Sequence, residues 1–78
     1  MVELFEGSKT LVDMAEAGDL MTALSYFESE LRPVIEDTKT YYNEDLLKLL
    51  KEMCIHIDNE EWTDGMENLE KLSIIVNG

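Results

Sequence analysis

His56 is the one histidine and Cys54 the one cysteine of this 78-residue chain, so any imidazole or thiolate chemistry must pass through that stretch. The two stand two residues apart, about 200° around a helix axis, and cannot meet as nucleophile and base. Cys54 reads as a small core residue. Glu52 and Glu60 lie four residues to either side of His56. On a continuous helix they would align carboxylate, imidazole and carboxylate, the pattern of a weak metal site or a pH-sensitive pair. A histidine near a helix C-terminus is also an ordinary complement to the helix dipole, and Glu60 falls beyond the expected end of that helix. A single histidine leaves no histidine pair and no zinc site of the usual nitrogen and sulfur ligands. The expectation is therefore no catalytic residue, no metal and no cofactor.

The acids are the next candidates. Asp58, Glu60, Glu61, Asp64, Glu67 and Glu70 crowd around Gly65, which invites a calcium-loop reading. Setting Gly65 at the loop's sixth position puts Trp62 third and Lys71 twelfth, where a bidentate acid should stand, so the motif fails. The glycines, at 7, 18, 65 and 78, are isolated and make no phosphate-binding loop. Glu28–Arg32, Glu44–Lys48 and Glu67–Lys71 are acid-then-base pairs four apart, suited to solvated helix faces.

The elements that must position these residues are helices. Leu20, Leu24, Phe27, Leu31, Val34, Thr38 and Tyr41 alternate steps of four and three, one apolar stripe on a long helix. Pro33 lies within its span but off the stripe; the pattern resumes in phase, which predicts a kink near Ser29 to Pro33, with termination there as the alternative. Asn43 is a suitable N-cap for a third helix whose buried face is Leu46, Leu47, Leu50, Met53, Cys54 and Ile57. Asp58 and Glu61 read as a capping box opening a fourth helix with the stripe Trp62, Met66, Leu69, Leu72 and Val76. The first helix carries Leu4, Phe5, Ser8, Leu11, Val12 and Ala15, weakened by Gly7 at roughly 1 kcal/mol relative to alanine. Gly18 ends it and Asp19 caps the next, leaving almost no loop. The fold class expected is all-α: a four-helix antiparallel bundle of two hairpins, 1–42 and 43–78, in a single domain, helix two being long.

The hairpins look alike at an offset of 42 residues, from Leu4-Phe5 to Leu46-Leu47, and the offset holds from Asp19 to Glu61, Leu20 to Trp62 and Phe27 to Leu69. Gly18-Asp19-Leu20 with Ala23, Phe27, Leu31 and Pro33 resembles the turn and second helix of a tetratricopeptide repeat, over less than a quarter of the chain. The 42-residue spacing departs from that family's, helix two is too long, and a third unit is missing. The resemblance accordingly implies hairpin packing and no peptide-binding function.

In an up-down-up-down bundle the first and third turns share one end. That would gather Asp13, Glu16, Asp19, Asp58, Glu60, Glu61 and Asp64 into an acidic pole with no base among them, a candidate docking surface for a basic partner or a weak site for a divalent cation. Trp62, Met66, Met14 and Met21 are expected to fill the core beside it; if exposed, they would form an apolar patch ringed by acids. Tyr41 and Tyr42 mark the opposite end, where one ring pointing outward could anchor a dimer.

Eighteen acids against six bases give a formal net charge of −12, a field that repels phosphate backbones and anionic lipids. The 45% hydrophobic content is nevertheless that of a chain able to build a core. No apolar run approaches the roughly 20 residues of a membrane span, the opening Met1-Val2-Glu3-Leu4-Phe5-Glu6 is not a secretory signal, and a cytoplasmic protein is expected. The functional expectation is a non-enzymatic acidic protein-binding module, an adaptor, chaperone or inhibitor, with a basic partner. The alternatives are a structural homodimer and a DNA mimic that blocks a nucleic-acid-binding protein.

Overall fold

The computed structural model describes residues 3–37 and 44–78, and among these the regular structure is helical throughout. Two compact units divide the chain, 1–38 and 39–78, and each is a helical hairpin. The Thr38 and Tyr41 end of the long stripe, the Tyr41-Tyr42 pair and the Asn43 cap lie outside the described residues.

In the first unit α1 spans Leu4–Glu16. Its N-cap is Glu3, whose carboxylate accepts from the Phe5 and Glu6 amides at 3.1 and 3.3 Å, two of the donors that a helix start leaves without partners. Gly7, Ser8, Leu11 and Val12 form its buried face, while Phe5, expected on that face, is exposed. Ser8 is fully buried, and its hydroxyl has no hydrogen-bond partner.

The long second helix runs as α2, Leu20–Tyr26, a π-helical segment, Phe27–Leu31, and α3, Arg32–Asp37. It continues through Pro33, as the stripe implied, and the distortion takes the form of widened turns. The Arg32 amide donates to the Phe27 carbonyl, five residues back. Proline has no amide to give the Ser29 carbonyl and its ring crowds that group; a π turn immediately before it opens the ladder where the bond is lost. The wide turn also serves packing. Ala23, Phe27, Leu31 and Ile35 are all buried at a spacing of four, which on a regular α-helix drifts about 40° per step. Adding residues to the turn holds this column on one side.

In the second unit α4 spans Glu44–Asp58 and α5 spans Trp62–Asn77, packed against each other. Leu46, Leu47, Leu50 and Met53 are buried as expected; Cys54 and Ile57 are half-buried. On α5 Asn68, Leu72 and Val76 are buried. Among the described residues no helix is long and apolar enough to cross a membrane.

Candidate functional site at the hairpin turns

Both hairpins turn by the same device. After α1 the amides of Gly18 and Asp19 donate to Ala15 O and Met14 O; after α4 those of Glu60 and Glu61 donate to Ile57 O and His56 O. This is the paired bonding of a Schellman ending, repeated at the 42-residue offset read from the sequence. The residue in the left-handed region is Gly18 in one turn (φ +85°) and Glu60 in the other (φ +57°). The residues that follow, Asp19 and Glu61, are both N-caps, with near-identical backbones at φ/ψ −97°/71° and −89°/68°. Asp58 ends α4 and does not cap α5, so the capping box is corrected: the left-handed residue between them makes Glu61 the cap position.

The caps then diverge. Asp19 Oδ1 accepts from the Thr22 amide at 3.2 Å, an ordinary side-chain cap. Glu61 makes no side-chain cap; its Oε1 lies 3.0 Å from His56 Nδ1. Asp64, in the first turn of α5, joins them, and one ligand atom from each of His56, Glu61 and Asp64 lies within 4.8 Å of the others. The carboxylates expected beside the imidazole were Glu52 and Glu60. Glu52 instead accepts from the Asn68 side-chain amide across the hairpin at 3.4 Å, and Glu60 occupies the left-handed position of the turn. The helix break replaces the four-residue spacing by one of five. The internal repeat was the available signal, because it pairs Glu61 with Asp19 and so places the break just before it.

All seven acids of the expected pole are exposed and lie at the turns, Asp13, Glu16 and Asp19 at the first and Asp58, Glu60, Glu61 and Asp64 at the second. Beside each turn lie exposed apolar side chains. Trp62 and Met66 are 53% and 44% exposed, Leu20 and Met21 49% and 77%. The core expected around Trp62, Met66 and Met21 is thereby corrected; Met14 is half-buried. The cause is the seam that α5 presents to α4. It runs along Gly65, Asn68, Leu72 and Val76, with Gly65 so near that a Cβ on it would stand 3.9 Å from His56 Cβ. Trp62 and Met66 are turned out of that seam, one helical turn apart on a shared face.

Away from the turn, an open groove of about 410 Å³ between α4 and α5 is lined by Leu49, Ile74 and Ile75. Asp45 and Glu52 alternate there with Lys48 and Lys71, so it favours neither anion nor cation. In the first unit Arg32 pairs with Glu28 at 2.9 Å and Glu36 at 3.3 Å, accounting for one of the six bases. No family model, curated protein or solved structure matches this chain.

Proposed function

We propose that the protein is a non-enzymatic acidic binding module, docking a partner whose basic surface surrounds an apolar side chain. The observation that carries this reading is the exposure of Trp62 and Met66 on one face of α5. Glu70 continues that line one turn on, and Glu61 and Asp64 flank it. A half-exposed tryptophan beside a methionine gives the large, adaptable contact that binding hot spots use. The acids around it select lysine- and arginine-rich partners and speed their encounter. A second copy of the chain suits the apolar face but not the charge, because two chains of −12 would bring like acids together. A nucleic-acid-binding protein is one partner with the required basic surface, which keeps the DNA-mimic role within this reading.

The test is affinity capture from cell lysate over a salt series, with wild type, a Trp62→Ala/Met66→Ala double variant, and a charge-reversal variant of Asp13, Glu16 and Asp19. Wild type is expected to retain a stoichiometric basic partner that is released as salt rises. The double variant is expected to lose at least about tenfold in retention, the scale of a hot-spot truncation, with unchanged helicity. Charge reversal at the first turn weakens the chain's negative field without touching α5, and is expected to lower capture at low salt, with the difference from wild type shrinking as salt rises. Equal retention by the double variant and wild type would remove α5 as the docking face; a concentration-dependent dimer without another bound protein would favour the structural homodimer.

A further inference from the structure

The second turn holds an arrangement that docking a basic surface does not require. Its cap residue leaves the helix amides and turns its carboxylate onto an imidazole, where the same position in the first turn caps normally. We propose that His56, Glu61 and Asp64 bind one divalent transition-metal ion, with the imidazole and two carboxylates as protein ligands and water in the remaining positions.

The geometry is close to that of a bound ion. Nitrogen and carboxylate ligands stand about 2.0–2.2 Å from such a metal, so two ligand atoms of one ion are at most about 4.4 Å apart. His56 Nδ1 and Glu61 Oε1 already meet this limit at 3.0 Å, and the whole set, within 4.8 Å, needs only a small rotation of an exposed carboxylate. The ligands come from both helices, His56 from the last turn of α4 and Asp64 from the first turn of α5. The Glu61 amide is tied to the His56 carbonyl at 2.7 Å, which holds the backbone positions of two ligands near each other before any ion arrives. A metal ion would replace the direct contact between Nδ1 and Oε1. The donor set selects the ion class: calcium and magnesium are held by oxygen alone, whereas imidazole with carboxylate suits zinc and its first-row neighbours. At −12 the chain also attracts cations generally, so binding must be shown to depend on His56 itself. The site shares Glu61 and Asp64 with the docking face, but zinc binding to the chain alone needs no partner and partner capture needs no metal, so either reading can fail alone.

Zinc ion, added to the full chain and followed by calorimetry and by the His56 ring resonances, is the test. One equivalent is expected to bind saturably and to shift those resonances, and calcium in large excess is expected not to displace it. His56→Ala and Asp64→Asn are each expected to weaken binding at least tenfold while keeping wild-type circular dichroism. Asp13→Asn, which removes the same charge from the other turn, is expected to leave it unchanged. Absence of saturable binding, unmoved His56 resonances at zinc saturation, or Asp13→Asn weakening binding as much as Asp64→Asn would overturn the proposal.

Discussion

Glu60 holds a backbone conformation, φ +57°, that side chains with a Cβ adopt at a cost of about 1 kcal/mol or more, at the position where helix endings most often carry glycine. Gly18 supplies that glycine in the first turn. Glu60→Gly is therefore expected to raise stability by about 0.5–1 kcal/mol, part of the relief being offset by the freer unfolded chain. Its chemical-denaturation midpoint against wild type measures this, and a lower midpoint would mean the glutamate has a compensating contact. Because Glu60 is not among the proposed metal ligands, the same variant should bind zinc as wild type does. Residue type alone also explains what could be read beforehand. Gly18 announces a helix end, and the first turn was legible to the residue. A glutamate announces nothing, so the second break was located only approximately. The i,i+4 rule then paired His56 with Glu60 in place of Glu61 and Asp64, because that rule holds only on an unbroken helix.

At the scale of elements, hydrophobic periodicity was enough to place the helices but not to orient α5. Leu72 and Val76 of the expected stripe are buried, but its first members, Trp62 and Met66, are exposed, and nearer the turn the contact with α4 is made through Gly65 and Asn68, where a small residue and a hydrogen-bonded amide permit close approach. In the second helix, Ile35, which the sequence stripe leaves out, is buried beside Val34 four residues after Leu31, a position that an i,i+3,i+4 stripe includes. Gly65 offers a direct test of the α4–α5 seam. A Cβ there meets His56 Cβ at 3.9 Å, an ordinary contact, and glycine within a helix is worth about 1 kcal/mol less than alanine. Gly65→Ala is accordingly expected to stabilise by about 0.5–1 kcal/mol, and Gly65→Leu to destabilise by pushing against His56. Equilibrium urea unfolding of both variants checks the pair; a stable leucine variant would show that the seam is looser than described.

For the whole molecule, charge is the dominant property. Eighteen acids and six bases leave a self-repulsion that opposes compaction and that salt screens over about 8 Å at physiological ionic strength. The thermal midpoint is expected to climb by a few degrees between about 10 and 150 mM sodium chloride, the equivalent of about 0.5–1 kcal/mol for a domain of this size. Circular-dichroism melts measure it. A flat dependence would mean that the carboxylates are spaced beyond mutual reach and that their exposure at the turns has little energetic consequence.

The recurrence of one turn at a 42-residue interval also bears on how the chain reaches its native form. Every backbone bond of the first turn is made among residues 13–23 and every one of the second among residues 55–65. Neither therefore waits on a distant partner, and closing so short a loop takes on the order of 10–100 ns. On a growing polypeptide lengthening by roughly 5–20 residues per second, the first bend has all its atoms well before the residues of the second have been joined. The order of the chain thus supplies every backbone partner of the first turn before those of the second.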